Sequence, residues 1–150
     1  MADIVSPETR SRMMAGIRGK DTKPEIIVRR LLHKLGYRFR LHRKDLPGRP
    51  DIVLPKWKTV VFVNGCYWHG HENCELYRTP KTRSEFWEAK IAGNRKRDET
   101  NYQRLREEGW KVILIWECAV SKKNSLTDTE LAAAMSAAIE TNRFLIEVRS

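Results

Sequence analysis

Two of the three cysteines and two of the four histidines lie in one short segment, residues 65–74, directly after an apolar run at 60–63. The segment contains Cys66, His71 and Cys74, and the remaining cysteine, Cys118, follows a second apolar run. Three thiolates and one imidazole form a Cys3His set, which is typical of a structural zinc ion. The spacing therefore predicts a zinc site, although His69 could replace His71 as its fourth ligand.

Two side chains near this segment could act on a phosphodiester. Asp51 begins a strand after a Gly-Arg-Pro loop, where a carboxylate can hold Mg2+, which polarises the ester and orients water. An imidazole exchanges a proton near neutral pH, so His69 could deprotonate that water. A hairpin of strands at 51–54 and 59–63 would bring the two residues together. Taken alone, Asp51 is better explained as a turn-capping residue, and the functional interpretation gains from the strand that leads to His69. The alternative for His69 is a surface or metal-supporting imidazole.

Five further candidates have a structural interpretation beside the functional one. Glu25 is the third helical residue of a capping box, and Asp98 lies on a stretch that reads as a solvated helix face. Tyr67 and Trp68 are adjacent on a glycine-bounded turn, where at least one of them is expected in the core. Their functional interpretation is a wedge between DNA bases, which Trp87 could join. An aromatic face can recover ~1–3 kcal/mol per stacked base, which offsets the cost of opening a base step.

The net charge of +10 is unevenly distributed. Residues 1–50 hold 13 Lys and Arg against 5 Asp and Glu, whereas residues 51–150 hold 16 against 14. A basic lobe on a near-neutral body is typical of nucleic-acid binding, and a merely soluble basic protein is the alternative. Residues 1–20 are predicted to be a basic arm that becomes ordered on a partner, from which Met14 could probe DNA.

The length of 150 residues predicts a single domain at 21–150 after the arm. No apolar run has the length of a membrane span, and the first residues lack the pattern of a signal peptide. Three cysteines cannot all pair within one molecule, so metal ligation is favoured over a disulfide framework. We therefore expect a cytoplasmic protein that has reduced thiols and does not bind membranes.

Apolar periodicity predicts three helices and four strands. The helices begin at capping boxes, in which a threonine is followed three residues later by a glutamate. The predicted elements are a helix from Thr22 to Gly36, strands at 37–41, 51–54 and 59–63, a helix from Thr82 to Gly109, a strand at 110–116 and an alanine-rich helix from Thr127. This order predicts a mixed sheet flanked by helices, in the α/β class.

Together these segments closely resemble the very short patch repair endonucleases of bacteria. The resemblance covers about residues 9–130 and is carried by the stretches TRSRMM at 9–14, LPGRPD at 46–51, GCYWH at 65–69, TRSEFW at 82–87 and GWKV through WEC at 109–118. It implies a restriction-endonuclease-like fold of the PD-(D/E)xK type. It also implies an enzyme that nicks duplex DNA 5′ to the thymine of a T·G mismatch, which arises when 5-methylcytosine deaminates.

The resemblance assigns roles to individual positions. Asp51 and the main-chain carbonyl of Val63 match the ligands of a catalytic Mg2+, and His69 matches the general base. Glu25 and Asp98 match acidic positions that support the site. The positions that match structural zinc ligands are Cys66, His71, Cys74 and Cys118. Tyr67, Trp68 and Trp87 match aromatics that enter the base stack, and Met14 matches a residue that approaches from the minor groove. Beside these matches, the basic residues Arg10, Arg12 and Arg49 are expected to contact DNA.

The chain departs from the family pattern at two places. Related nucleases carry an acidic-x-Lys pair on the second strand, and the best-known pattern of this family has Thr-His where this chain has Val63 and Asn64. A main-chain carbonyl survives that change, but a second imidazole near the scissile phosphate does not, so Asn64 can only hydrogen-bond. We expect an altered rate or pH dependence. The other departure is one extra residue between His71 and Cys74.

The implied partners are a DNA duplex with a T·G mismatch and, after the nick, a repair polymerase and a ligase. A monomeric enzyme is expected. Two alternatives remain from sequence. One is a sequence-specific restriction endonuclease on the same fold, which would cut both strands, and the other is a non-catalytic zinc-containing DNA-binding module.

Overall fold

The computed structural model describes residues 21–74, 76–77, 81–120 and 125–150. In chain order the elements are helix α1 (Lys23–Lys34), strands β1 (Arg40–Leu41) and β2 (Ile52–Leu54), a 3-10 turn (Pro55–Trp57), strand β3 (Thr59–Asn64), helix α2 (Ser84–Glu107), strand β4 (Lys111–Trp116), helices α3 (Glu117–Val120) and α4 (Asp128–Glu140), and strand β5 (Leu145–Val148). The five strands form one sheet in chain order. β1, β2 and β3 pair antiparallel, and β3, β4 and β5 pair parallel. The predicted mixed α/β architecture is confirmed.

Alternate residues of the central strands point to opposite faces of the sheet, and both faces are buried. On one face, Val61 and Ile113 pack with residues of α1 and α4. On the other face, Val60 and Val112 pack with Leu105 of α2. Burying an aliphatic side chain of this size contributes about 1.5–3 kcal/mol, so the two layers hold the sheet from both sides. Among the described residues, no helix has the length and apolar character needed to cross a membrane.

Local sequence signals predict two of the helix starts correctly and a third wrongly. Thr22 caps α1 and Thr127 caps α4, each in the reciprocal capping box that the sequence predicts. The capping box predicted at Thr82 is wrong, because α2 begins at Ser84 and its N-cap is Arg83. Arg83 has a φ of +55° and makes no side-chain capping bond, so the chain enters α2 through a left-handed turn.

The strand predicted at 37–41 is reduced to the two residues of β1. The backbone N–H of Tyr37 instead donates to the Leu32 carbonyl at 3.0 Å and closes the end of α1. The Tyr37 ring also packs edge-on against Trp57, with 5.8 Å between ring centroids. The predicted hairpin of β2 and β3 is present, while β5 and the four-residue helix α3 were not predicted.

Candidate active site and metal centre

The sheet brings the two chemistry-bearing segments to one edge. β3 and β4 are parallel and Asn64 pairs with Trp116, so the residues that follow each strand leave the sheet side by side. The Cys66 backbone N–H donates to Glu117 Oε1 at 3.3 Å, and the Cys118 backbone N–H donates to Cys66 Sγ at 3.4 Å. These bonds join residues about fifty positions apart, which explains how Cys118 reaches a segment that follows β3.

The four zinc-candidate residues converge in a closed cluster. The ligand atoms of Cys66, His71, Cys74 and Cys118 all lie within 4.8 Å of one another. A tetrahedral zinc ion with Zn–S distances of about 2.3 Å would separate its ligands by roughly 3.5–4 Å, so this arrangement fits such an ion. Cys66, His71 and Cys118 are also buried, which suits a site that has no open position.

The position of the His71 ring distinguishes it from His69 as the candidate zinc ligand. The His71 ring stacks on Trp116 at 3.9 Å between centroids and 5° between planes, and its Nδ1 lies 3.7 Å from Cys118 Sγ. Burial lowers the pKa of His71, which favours the neutral imidazole that a metal requires. His71 Nε2 is buried and has no hydrogen-bond partner among the described residues. The structure thus places His71, and not His69, in the cluster.

The extra residue in the His71–Cys74 spacing is absorbed by a turn. Asn73 has a φ of +53°, a conformation that asparagine tolerates better than most residues. Arg149, just after β5, donates to the backbone carbonyls of Glu72 at 2.9 Å and Asn73 at 2.7 Å. Sequence reasoning missed this support, because nothing local to Arg149 indicates which turn it reaches.

His69 lies against α2 instead. Its Nδ1 is 2.6 Å from Asp98 Oδ2, and with Nδ1–H donated to that carboxylate, Nε2 is the nitrogen that can accept a proton. The Asn94 amide holds the preceding residue by donating to the Trp68 carbonyl at 3.0 Å. Gly70 has a φ of +60°, and an added Cβ there would lie 2.6 Å from Ile91 Cγ2. The turn therefore seats closely on α2 and fixes the imidazole.

Asp51 lies in the same cleft as His69, at the start of the β2–β3 hairpin. Its Oδ2 accepts the Val63 backbone N–H at 2.8 Å. Burial and, to a smaller extent, the nearby Glu25 carboxylate raise the pKa of Asp51 to about 6 against the opposing effect of the Val63 bond. A bound cation would supply the positive charge that this buried carboxyl needs in order to ionise.

The turn before Asp51 is shaped by Gly48 and Arg49. Gly48 has a φ of +76°, and an added Cβ would lie 3.1 Å from the Phe62 ring, so only glycine fits without displacement. Arg49 has a φ of +49°, and its backbone N–H donates to the Leu46 carbonyl at 3.0 Å. Arg49 also lines the cleft.

Glu25 is both a helix-capping residue and part of the cleft. Its Oε2 accepts the backbone N–H groups of Asp21 at 2.6 Å and Thr22 at 3.2 Å. Its Oε1 lies 3.0 Å from Arg29 Nη2 and 3.0 Å from His42 Nε2. The two oxygens are thus used by different partners, and the structural interpretation does not exclude the functional one.

Asn64 occupies the last position of β3 and is 3% exposed. Its amide donates to the Tyr102 hydroxyl at 3.2 Å, and the Tyr102 ring packs edge-on against Phe62 at 5.3 Å between centroids. Burial raises the pKa of Tyr102, so the phenol stays neutral and can hold the amide in place. No local sequence pattern indicates this pairing across 38 residues.

Four aromatic rings, one of them exposed and three half-buried, form a cluster beside the cleft, here called the aromatic cluster. Its members are Tyr67, Trp68, Phe86 and Trp87. Ring centroids are 5.2 Å apart for Tyr67 and Trp68, 6.1 Å for Trp68 and Trp87, and 5.2 Å for Phe86 and Trp87. Phe86 is 46% exposed and was missed by sequence reasoning, although its position beside Trp87 is a readable signal. The rings pack edge to face, and the partly exposed faces that remain are suited to contact unstacked bases.

The cleft that joins these groups has a volume of about 1070 Å³ and carries both signs of charge. Its basic lining residues are Lys23, Lys44, Arg49, Lys90 and Arg97, and its acidic ones are Glu25, Asp51, Asp98 and Glu117. Cations suit a phosphate backbone, and carboxylates suit a metal ion beside it. His42 also lines the cleft and was not among the sequence candidates. Arg10, Arg12 and Met14 lie outside the described residues.

The Asp51 carboxylate and the His69–Asp98 pair share a cleft with five basic residues, an arrangement that is typical of a nuclease. The family described as DNA mismatch endonuclease Vsr matches residues 2–76. The chain belongs to this family and is an endonuclease that acts on DNA.

Characterised relatives align over most of the chain. The type II nicking enzyme V.XorIIP of Xanthomonas oryzae pv. oryzae is 51% identical over 126 residues, which is 84% of this chain and 92% of the relative. The DNA mismatch endonuclease Vsr of Escherichia coli is 44% identical over 131 residues, 87% of this chain and 83% of the relative. The type II nicking enzyme V.NmeAIP of Neisseria meningitidis is 46% identical over 123 residues, 82% of this chain and 87% of the relative. The family predicted from sequence is confirmed.

Proposed function

We propose that this endonuclease nicks one strand of duplex DNA 5′ to the thymine of a T·G mismatch left by deamination of 5-methylcytosine, and so initiates repair. The observation that carries the proposal is the convergence of Asp51, the His69–Asp98 pair and the aromatic cluster on one cleft. The names of the relatives support it, since the Escherichia coli relative is a mismatch endonuclease and the Xanthomonas relative is a nicking enzyme.

Asp51 is the proposed ligand of a catalytic Mg2+, with the main-chain carbonyl of Val63 as a second oxygen ligand. The fit rests on a buried carboxylate that lacks a basic side chain bonded to it among the described residues and that lies in a cleft rimmed by cations. Mg2+ bound there would polarise the scissile phosphodiester and orient its attacking water. Mg2+ takes oxygen ligands and retains waters, so one carboxylate and one carbonyl are sufficient protein ligands.

The protein's own groups supply the proton transfer. Asp98 holds His69 with Nε2 as the acceptor nitrogen, so His69 is the proposed general base that takes the proton of the attacking water. Asp98 is a positioning residue, because it fixes the tautomer of the base. Glu25 supports the Asp51 region from α1, and Asn64, held by Tyr102, offers an amide to the phosphate.

Cys66, His71, Cys74 and Cys118 are the proposed ligands of a structural Zn2+. Four protein ligands close the coordination sphere, which distinguishes a structural zinc site from a catalytic one. Its proposed role is to join the end of β4 to the turn that carries His69. Zinc binding can supply about 10–16 kcal/mol to folding of small domains.

DNA recognition is assigned to the aromatic cluster and the basic residues. Tyr67, Trp68 and Trp87 are proposed to enter the base stack at the mismatch. Arg49 lines the cleft, and Arg10, Arg12 and Met14 belong to the arm expected to contact DNA. The chain carries one such cleft among its described residues, so a monomer would cut one strand, and a polymerase and a ligase would have to complete the repair.

The test uses duplexes with a central T·G, T·A or C·G pair, randomised flanks and each strand labelled in turn. With Mg2+, we expect a nick confined to the T strand of T·G, and no nick in Mg2+-free buffer. Asp51→Ala should bind the duplex without cutting it. Cleavage of both strands of the paired duplexes would instead identify a restriction endonuclease, and binding without cleavage by the wild type would leave a DNA-binding module.

A further inference from the structure

His42 lies between β1 and β2, next to the residue proposed to hold the metal. Its backbone N–H donates to the Asp51 carbonyl at 3.1 Å and continues the ladder in which Leu41 pairs with Ile52. Its φ is +50°, in the left-handed region that costs a non-glycine residue free energy unless the surroundings impose it. The backbone at His42 is therefore held in an unfavourable conformation beside the active cleft.

The imidazole of His42 reaches α1. Its Nε2 lies 3.0 Å from Glu25 Oε1 and 2.9 Å from Arg29 Nη2. The Glu25 side chain is 2% exposed, the Arg29 side chain 17% and the His42 side chain 20%. Ionisable groups buried to this extent require partners, so the three-way contact is a fixed part of the fold.

We propose that His42 is a positioning residue of the nicking reaction, because it joins the Glu25 carboxylate of α1 to the strand start that carries Asp51. The inference rests on the function proposed above. The best-known family pattern has a second histidine at the position after Val63, where this chain has Asn64. The cleft nevertheless contains a second imidazole besides that of His69, because His42 lines it.

The two carboxylate oxygens of Glu25 have different partners, and this difference explains the importance of His42. Oε2 of Glu25 is occupied by two backbone N–H groups, so only Oε1 faces the side chains. Arg29 Nη2 is shared, since it also contacts Asp21 Oδ1 at 2.5 Å. Oε1 has no hydrogen-bond partner of its own among the described residues, but Arg29 Nη2 lies 3.0 Å from it and is hydrogen-bonded to His42 Nε2. The imidazole therefore holds the guanidinium against the carboxylate. Without it, Arg29 could swing to the half-exposed Asp21, and Oε1 of Glu25 would lose the contacts that tie it to the strand start carrying Asp51.

Two variants separate the imidazole contact from the backbone conformation, and a third is their control. Asparagine tolerates a positive φ but is too short to replace Nε2, so His42→Asn keeps the backbone and removes the contact. Glutamine can donate to Glu25 or accept from Arg29 at nearly the reach of Nε2, so His42→Gln should restore it. His33→Asn, at an exposed position of α1, is the matched control.

Single-turnover nicking, duplex affinity and Mg2+ affinity of the DNA-free protein are measured, with rates normalised to the folded fraction. Removing a group that orients a metal ligand commonly costs 10- to 100-fold in metal affinity or activity. For His42→Asn we expect a loss of roughly 10- to 100-fold in rate and weaker Mg2+ binding, with duplex affinity unchanged. His42→Gln should recover to within about threefold of the wild type, and His33→Asn should not differ from it.

A wild-type rate and Mg2+ affinity in His42→Asn would overturn the proposal, as would a loss that His42→Gln does not reverse. The variants are compared on whichever duplex the wild type nicks, so a substrate other than T·G would refute the proposed function while leaving the His42 comparison intact. If the wild type nicks none of the duplexes, the Mg2+ affinities decide, and equal values for wild type and His42→Asn would end the inference.

Discussion

Asp51→Asn should make the Mg2+-free protein more stable at neutral pH while abolishing nicking. The reason is that the fold buries the Asp51 carboxyl and raises its pKa from 3.8 to about 6. Asparagine has the same shape, and its Oδ1 can still accept the Val63 backbone N–H that Asp51 accepts at 2.8 Å. The substitution therefore removes a buried charge without removing the hydrogen bond.

The size of the effect follows from linkage between ionisation and folding. The fold prefers the neutral carboxyl, so the contribution of Asp51 to stability is fully present below its unfolded pKa of 3.8 and is lost as the pH rises through about 6. One pKa unit corresponds to about 1.4 kcal/mol, which gives a cost of ~3 kcal/mol at pH 8 and ~0.5 kcal/mol at pH 4. For a chain of this size, ~3 kcal/mol is roughly 6–12 °C in Tm.

The assay is urea unfolding of wild type and Asp51→Asn from pH 4 to pH 8. Magnesium is removed by dialysis and not by EDTA, because a strong chelator would also strip zinc. Adding Mg2+ back should stabilise the wild type and leave Asp51→Asn unchanged. Asp45→Asn is the control. The hydrogen bond from Arg43 lowers the pKa of that exposed carboxyl, so the control should not gain stability.

Two results would refute this reasoning. The first is an Asp51→Asn protein no more stable than the wild type at pH 8 in Mg2+-free buffer. The second is a stability difference that does not shrink as the pH falls toward 4. Either one would mean that Asp51 is well solvated or paired in the folded protein, and the physical argument for a cation at this position would be lost.

Three further substitutions test other parts of the site. Asp98→Asn should slow single-turnover nicking by roughly 100-fold or more without changing duplex affinity, because an amide can stabilise the wrong tautomer of His69; a wild-type rate in a rapid-quench assay would exclude the pair from catalysis. Cys118→Ser should lose bound zinc and several kcal/mol of unfolding free energy, measured by elemental analysis and denaturant unfolding; one retained zinc per chain would show that the ligand set is wrong. Trp68→Ala should weaken binding to a T·G duplex by roughly 5- to 150-fold, the equivalent of ~1–3 kcal/mol of stacking. Binding is measured by fluorescence anisotropy in Mg2+-free buffer, and an unchanged preference for T·G over T·A would contradict the insertion of Trp68 between bases.

The elements that could be predicted from sequence are those whose signals are local. The capping boxes at Thr22 and Thr127 place two reciprocal hydrogen bonds within four residues, and both helices begin where predicted. The same pattern failed at Thr82, because the left-handed backbone of Arg83 moves the start of the helix. A capping box is thus a conditional signal, since it requires an extended backbone at the capping residue.

The two elements that were not predicted from sequence are short and have little apolar periodicity. β5 has four residues, of which only Val148 is fully buried, so it lacks the continuous apolar run of β3 and β4. α3 has four residues and follows β4 without a break, which is too short for a helical pattern to be read. Both depend on tertiary packing: β5 pairs with β4, and α3 carries Cys118 to the metal cluster.

The candidate site also has features that could be predicted from sequence and features that could not. The residue types and the motif order predicted which side chains to examine, but the pairs that fix them span long distances in sequence. Asp98 reaches His69 across 29 residues, and Tyr102 reaches Asn64 across 38. These pairings depend on how α2 packs against the sheet, and no local sequence pattern encodes that packing. His42 was missed for a related reason, because a lone histidine in a basic stretch has no signal of its own.

Glu25 shows why a sufficient structural explanation does not remove a functional one. The capping box fully explains a glutamate at this position, and the structure confirms the box. Yet the box uses only Oε2, and it fixes the χ angles of the side chain so that Oε1 faces Arg29 and His42 in the cleft. The cap thereby supplies the rigidity that a residue beside a metal site needs. A capping residue at a helix start that borders a cleft is for this reason well suited to carry a second role, and the His42 variants measure that role without disturbing the cap.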